Sequence, residues 1–148
     1  TGASAALASA AAQGAAAAAR LVEAGEATPA MLLDADAYLF CCPENLGGMS
    51  GMMKEMFDRA YYPLLGRVEG RAYATIIAAG SDGEGAQRQI DRIVTGWRLK
   101  RVAPSIIVNL EAQTAEAIAA PKVVPESALA EARDLGASLA EGLRIGMF

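Results

Sequence analysis

The stretch from Ala37 to Arg59 decides the fold, and it consists of AYLFCC, PENLGGMSG and MMKEMFDR in succession. Its first six residues are apolar and end at Pro43, which predicts a short strand buried on both faces in a parallel sheet covered by helices. From Ser50 onward the apolar residues recur at helical spacing, which predicts a helix to about Leu65. The glycine-rich loop between them follows the carboxyl end of the strand, where open α/β sheets bind ligands.

The same arrangement of strand, loop and helix occurs a second time. The apolar run from Arg71 to Ala79 predicts a buried strand, Gly80 to Gly85 form a glycine-rich loop, and a helix is predicted from Ala86 to about Trp97. Because neighbouring parallel strands bring their C-terminal loops to the same edge of a sheet, we expect both loops to border one ligand site. The alternative is that these glycines serve only tight turns.

The remaining segments complete an alternation of strands and helices. An alanine-rich helix is predicted near the start, ended by Gln13-Gly14, and a modest edge strand follows it. Thr28-Pro29 has the composition of a helix N-terminus. This pattern predicts one α/β domain over residues 1–148, with a parallel sheet between two helical layers. Besides the two strand–loop–helix units above, the sequence predicts helices over 5–12, 28–34 and 126–143 and strands over 17–24 and 105–110.

The segment Thr1 to Ser4 leads directly into the first predicted helix. A helix N-terminus with small hydroxyl residues can hold a phosphate through its amides and hydroxyls. The alternative is that Ser4 is only an N-cap. In a three-layer fold a central strand should feed this loop, so we expect a further strand upstream, roughly 8 to 12 residues long with its start.

Composition excludes several classes of function. The net charge of −4 and a pI near 4.8 argue against a nucleic-acid surface, and no apolar run approaches the length of a membrane span. The chain contains no histidine, which excludes Ser-His-Asp hydrolysis and His-based zinc sites. The two cysteines, Cys41 and Cys42, are adjacent in a strand and should face opposite sides as inert packing residues, which fits a reducing cytoplasm.

With these segments assembled, the chain resembles the flavodoxin-like family of NAD(P)H-dependent FMN reductases and quinone reductases. The resemblance covers Thr1 to about Ala140, and it is most specific over the loop and helix from Pro43 to Arg59. It implies a three-layer, flavodoxin-like doubly wound parallel sheet, of which the first strand is missing from the sequence given. It also implies FMN as cofactor and NAD(P)H as electron donor.

The resemblance further implies which residues bind the flavin, mainly through backbone amides, with no catalytic side chain and no metal ligand. Leu46 stands where many relatives carry an aromatic residue, and Cys42 replaces a usual polar residue. We expect Glu44 and Asp82 to turn toward solvent or the N–H groups of the ring, and a valine at Gly47 or Gly83 to block the flavin. The implied cofactor-binding residues are Thr1, Gly2, Ala3 and Ser4 at the phosphate, Pro43, Glu44, Asn45, Leu46, Gly47, Gly48 and Met49 in the second loop, and Gly80, Ser81, Asp82 and Gly83 in the third.

The implied function is transfer of electrons from NAD(P)H through bound FMN to a quinone, a flavin or a similar small-molecule acceptor, with the cofactor supplying the chemistry. One alternative is an electron carrier of flavodoxin type. Another is a degenerate, non-catalytic binding module, because Glu44, Asp82 and Glu84 would repel a phosphate. We expect a cytoplasmic homodimer or homotetramer, since the helix end Tyr61 to Leu65 presents aromatic and aliphatic residues beyond the site. Nucleic acid and membrane are not expected partners.

Overall fold

A computed structural model describes residues 2–148 as a five-stranded sheet between two layers of helices. The three-layer α/β architecture predicted from the sequence is therefore confirmed. A 3-10 turn at Ala16–Ala18 follows the first helix. The elements are, in chain order, α1 (Ala3–Ala15), α2 (Pro29–Asp34), β1 (Ala37–Asn45), β2 (Gly48–Met49), α3 (Gly51–Leu64), β3 (Ala72–Ala79), α4 (Glu84–Gly96), β4 (Lys100–Arg101), β5 (Ile106–Asn109), α5 (Ala115–Ala119) and α6 (Glu126–Arg144).

Strand β3 is the centre of the sheet and is buried along its whole length. β1 pairs with it in parallel from Ala37 opposite Ala72 to Pro43 opposite Ala78. On the other side, β4 pairs with the beginning of β3 and β5 with its end, both in parallel. Only β2 is antiparallel, because it folds back on the end of β1. Within residues 2–148, the part of β1 from Ala37 to Pro43 pairs with β3 alone.

The two faces of the sheet bury different cores. Toward α3 and α4 the core is aromatic, with the ring of Phe57 5.1 Å from that of Phe40 and 5.5 Å from that of Trp97. Toward α1 and α6 the core consists mainly of alanine and branched aliphatic side chains. None of the helices within residues 2–148 is both long enough and apolar enough to cross a bilayer.

Close helix packing explains one wrong expectation, the helix stop at Gln13-Gly14. α1 continues through Gly14 to Ala15. A glycine is needed at this position because a Cβ there would lie 1.9 Å from the carbonyl oxygen of Arg133 in α6. In the same way, a Cβ on Gly136 would lie 1.9 Å from the carbonyl oxygen of Ala11. The glycines therefore allow the two helices to touch backbone to backbone rather than ending α1.

The strand expected over 17–24 is also wrong, because no strand of the described chain lies beside this segment to pair with it. It forms the 3-10 turn and irregular backbone instead. The guanidinium of Arg59 in α3 holds the end of this segment and the residues after it in place, by donating to the carbonyl oxygens of Ala24 at 3.0 Å and Ala27 at 2.7 Å. The other predicted helices and strands are present, with bounds shifted by a few residues.

Candidate functional site

The hairpin formed by Pro43–Met49 extends β1 beyond the C-terminal edge of the sheet. Leu46 and Gly47 form its two-residue turn, with φ angles of 52° and 76°. Both angles are positive, as in a type I′ turn. A leucine in this region costs about 1 to 2 kcal/mol, and here its side chain is also fully exposed. The hairpin therefore presents an apolar side chain at its tip in spite of backbone strain.

The carboxylate of Glu44 fixes the hairpin to the first turn of α4. One of its oxygens accepts a hydrogen bond from the amide of Gly83 at 2.9 Å and the other from the amide of Ala86 at 3.1 Å. The expectation that Glu44 turns toward solvent or toward a ligand is therefore wrong. The reason is that the first-turn amides of a helix lack intrahelical partners, and this carboxylate satisfies them.

Two more contacts join the hairpin to α4. The side-chain oxygen of Gln89 accepts from the amide of Met49 at 2.9 Å. A Cβ on Gly85 would lie 1.9 Å from the carbonyl oxygen of Gly47, so the two backbones touch at this glycine. Sequence reasoning missed Gln89, because a glutamine on a helix surface is usually solvated and no pattern marked this one as a partner of the hairpin.

The glycines of the 80–83 loop are required by the fold itself. A Cβ on Gly80 would lie 2.6 Å from the carbonyl oxygen of Ala112. Gly83 has a φ of 93°, and its Cβ would lie 2.4 Å from a methyl carbon of Ile107. A valine at Gly83 would thus disrupt the packing of α4 on β5. The expectation that it would act by blocking a ligand is wrong, because the space beside Gly83 is filled by Ile107. Ser81 and Asp82 are exposed at the surface of the loop.

Asn109 joins this loop to the segment that follows β5. Its amide nitrogen donates to the carbonyl oxygen of Ser81 at 2.7 Å, and its amide oxygen accepts from the backbone N–H of Glu111 at 2.8 Å. The sequence interpretation did not include Asn109. A signal was present, because a polar residue that ends an apolar parallel strand lies at the same edge as the other two loops.

The first turn of α1 lies beside the end of β1. The thiol of Cys41 donates to the carbonyl oxygen of Ser4 across 3.2 Å. Gly2 is the N-cap, with φ 89°, and no side chain within residues 2–148 caps this helix end. Ser4 is inside the first turn, so the alternative in which it acts as an N-cap is wrong. Thr1 lies outside the described residues.

The two cysteines lie on opposite faces of β1, as predicted, with Cys42 in the aromatic core and Cys41 against the other core. Burial raises the pKa of the Cys41 thiol to about 12 and that of Cys42 to about 11. Both thiols therefore stay protonated at neutral pH and are poor nucleophiles.

The first turn of α1, the hairpin and the 80–83 loop thus lie at one edge of the sheet, and the last two are rich in glycine. The family model described as NADPH-dependent FMN reductase matches residues 9–114 of this chain. The chain belongs to the NADPH-dependent FMN reductase family. The resemblance recognised in the sequence is therefore confirmed. No curated protein sequence matches the chain significantly.

Solved structures of flavodoxin-like proteins resemble this member of the NADPH-dependent FMN reductase family over almost its whole length. A flavodoxin from the domain Archaea is 17% identical with a TM-score of 0.75, and the match covers 97% of this chain and 92% of that one. The flavodoxin, WrbA-like protein from Agrobacterium tumefaciens is 21% identical with a TM-score of 0.72, covering 97% and 90%. A flavodiiron core from Synechocystis is 16% identical with a TM-score of 0.73, covering 98% of this chain and 34% of that one. At these identities the likeness establishes the flavodoxin-like fold.

Proposed function

We propose that the protein binds FMN at the C-terminal edge of its sheet and works as an NAD(P)H-dependent oxidoreductase. The observation that supports this most strongly is the meeting of the α1 N-terminus, the hairpin and the 80–83 loop at that edge, in a chain of the FMN reductase family. Bound FMN would supply the redox chemistry, accepting a hydride from a nicotinamide and passing two electrons to a quinone, a flavin or a similar small acceptor.

The α1 end fits a phosphate. Backbone amides of a helix N-terminus attract anions, and within residues 2–148 no side chain occupies this one. Within residues 2–148, and leaving its chain neighbours aside, a Cβ on Gly2 would meet no atom within 4 Å, so no described part of the fold packs against this glycine. We assign the phosphate to Gly2, Ala3 and the amide and hydroxyl of Ser4. Thr1 belongs to the same proposal through the family resemblance alone.

The hairpin and the 80–83 loop fit the edges of a flat ring. Gly47 has open space where a Cβ would lie, and Leu46 offers an apolar surface at the tip. The negative charge of Glu44 is directed into α4, so it does not face a phosphate at α1. We assign the ring to Pro43 through Met49 on one side and Gly80 through Gly83 on the other. The role of these residues is to bind and orient, mostly through backbone groups.

We also propose that the protein is a cytoplasmic homo-oligomer, with the end of α3 as the contact surface. Tyr62 is 80% exposed and Leu65 45% exposed. The expectation that the whole segment projects outward is wrong, because Leu64 is fully buried and the ring of Tyr61 stacks on Trp97 at 6.0 Å. The pair Tyr62 and Leu65 still forms an apolar surface of the kind found at interfaces.

Light scattering at micromolar concentration should show a dimer or tetramer, and Tyr62→Glu should shift the protein toward monomer. A monomer in the unmodified protein would contradict this part of the proposal.

The experiment that tests the flavin proposal is a titration of the purified protein with FMN, followed by anaerobic addition of NADH or NADPH. We expect the quenching of flavin fluorescence to saturate at a fixed ratio of FMN to protein. We also expect one of the two nicotinamides to bleach the visible absorption of the flavin. Binding without bleaching by either nicotinamide would favour an electron carrier of flavodoxin type. Absence of binding would favour the non-catalytic module.

A further inference from the structure

The N-terminus of α4 contains an anion supplied by the protein itself. Gly83 is its N-cap and has no side chain, so α4 has no cap from its own sequence. The carboxylate of Glu44 takes that place, with one oxygen 2.9 Å from the amide of Gly83 and the other 3.1 Å from the amide of Ala86. Free amides and the helix dipole make such an end attractive to anions. Glu44 therefore occupies a position that a dissolved phosphate could otherwise take.

The same carboxylate belongs to a three-point attachment of the hairpin. The backbone contact between Gly85 and Gly47 and the hydrogen bond from Met49 to Gln89 lie along one side of α4, next to the carboxylate. A hairpin attached at three points cannot rotate about the end of β1 without breaking charge-assisted hydrogen bonds. The orientation of its tip is thus fixed before any ligand arrives.

We propose that Glu44 is a positioning residue with two effects: it keeps the hairpin in register with the 80–83 loop, and it excludes free anions from the α4 N-terminus. α1 and α4 both begin at the C-terminal edge of the sheet, so an anion at α4 would lie on the same edge as a ligand phosphate at α1. By filling one helix end, Glu44 confines anion binding to the other. The effect on FMN rests on the proposed function, whereas the occupation of α4 does not.

Glu84 provides a matched control. It is also an acidic residue at the start of α4, but it is exposed, and its carboxylate accepts no hydrogen bond within residues 2–148. Glu84→Gln removes the same charge as Glu44→Gln from the same helix end without touching the hairpin. Any difference between the two variants therefore reports the attachment and not the net charge.

The first measurement uses the protein without flavin and needs only inorganic phosphate as the probe. Amide NMR resonances of Gly83 and Ala86 are followed during a phosphate titration. We expect no saturable shifts in the unmodified protein or in Glu84→Gln, and saturable shifts in Glu44→Ala, which leaves the helix end vacant. Glu44→Gln should give the same shifts at higher phosphate concentration and serves if Glu44→Ala does not fold. Folded Glu44 variants without phosphate-dependent shifts would overturn the assignment.

The second measurement is FMN affinity, with and without added phosphate. Glu44→Ala should raise the Kd for FMN about tenfold, because it loses charge-assisted hydrogen bonds that orient the hairpin. Phosphate should weaken FMN binding further in this variant than in the unmodified protein, whereas Glu84→Gln should behave normally. If Glu44→Ala binds FMN normally and indifferently to phosphate, the proposal is wrong and the flavin function stands. If no form binds FMN but the phosphate result holds, the proposed function fails and the role of Glu44 at α4 stands.

Discussion

The helices α1 and α4 begin alike at the same edge of the sheet, but within residues 2–148 a side chain closes only the N-terminus of α4, the closed end, whereas that of α1 is the open end. Each has a glycine N-cap in the left-handed region, Gly2 with φ 89° and Gly83 with φ 93°. A Cβ on Gly2 would meet none of the described atoms within 4 Å, its chain neighbours aside, whereas a Cβ on Gly83 would meet Ile107, and the amides of Gly83 and Ala86 donate to Glu44. The same local backbone is thus left uncapped in one place, where we propose the phosphate, and is part of the packed fold in the other, so only the tertiary neighbours distinguish the two helix ends.

The largest expected effect on stability comes from separating the hairpin from the N-terminus of α4. Gly85→Ala places a Cβ 1.9 Å from the carbonyl oxygen of Gly47, a backbone atom that cannot swing away. We expect a loss of about 3 kcal/mol in the free energy of unfolding, measured by urea denaturation. Gly47→Ala is the control, because its Cβ meets nothing within 4 Å and the cost is about 1 kcal/mol of backbone strain at φ 76°. Equal losses in the two variants would show that the hairpin does not rest on α4.

The pH dependence of stability at alkaline pH tests how α1, the helix with the open end, is attached to β1, where the Cys41 thiol donates to the Ser4 carbonyl oxygen. Burial raises the folded pKa of Cys41 to about 12 and of Cys42 to about 11, above the unfolded value of about 8.5. The protonated thiols therefore stabilise the fold below about pH 8.5, and this contribution declines as pH rises toward 11, by up to about 1.4 kcal/mol per pH unit for each thiol.

Urea denaturation between neutral pH and about pH 10 should show this decline. Cys41→Ala should reduce its slope, since one thiol no longer titrates. Rapid alkylation of either cysteine in the native protein at mildly alkaline pH would contradict the burial that causes the shift.

At the open end itself, Ser4→Ala should weaken FMN binding by about 1 kcal/mol, the net value of one hydrogen bond. The stability of the protein without flavin should not change, because the Ser4 hydroxyl makes no hydrogen bond within residues 2–148. Ser9→Ala, further along the same helix, is the matched control and should leave FMN affinity intact. Fluorescence titration and thermal denaturation measure the two quantities. A lower melting temperature with unchanged FMN affinity would mean that Ser4 serves the fold.

The smallest expected effect concerns the tip of the hairpin that the closed end supports. Leu46→Asn should raise the free energy of unfolding by about 0.5 kcal/mol, because asparagine tolerates a positive φ better than leucine. Leu21→Asn is the control, since Leu21 is also exposed but does not have a positive φ and gains nothing from the change. A destabilised Leu46→Asn would show that the leucine side chain makes contacts that outweigh the backbone strain.

The repeating parts of the fold were predictable from sequence. The apolar runs that became β1 and β3 and the helical spacing after Ser50 are strong periodic signals, and each produced the expected element. The strand expected over 17–24 failed because a strand needs a pairing neighbour, and within residues 2–148 no strand lies beside this segment. Gly14 failed as a helix stop because its meaning depends on α6, which is more than a hundred residues away in the chain.

The candidate site was predictable only as a location. Glycine-rich loops after two parallel strands predicted that both loops lie at one edge of the sheet, and the structure brings them together there, because that rule depends on topology alone. The roles within it depend on tertiary contacts. Glu44 was expected to face solvent or a ligand, but its carboxylate accepts hydrogen bonds from the N-terminus of α4. Gly83 was expected to leave space for a ligand, but that space is filled by the side chain of Ile107. Asn109 and Gln89 entered the site only through their partners in three dimensions.

The central claim is that FMN binds at this edge with its phosphate on α1. The most direct measurement is an FMN titration of the protein followed by amide NMR. We predict saturable shifts at the amides of Ala3 and Ser4 and in the hairpin, while the Gly83 and Ala86 amides keep their hydrogen bonds to Glu44, followed by anaerobic bleaching of the bound flavin with NADH or NADPH. No binding with FMN at about 100 μM, equivalent to less than about 5.5 kcal/mol of binding free energy, would contradict the account.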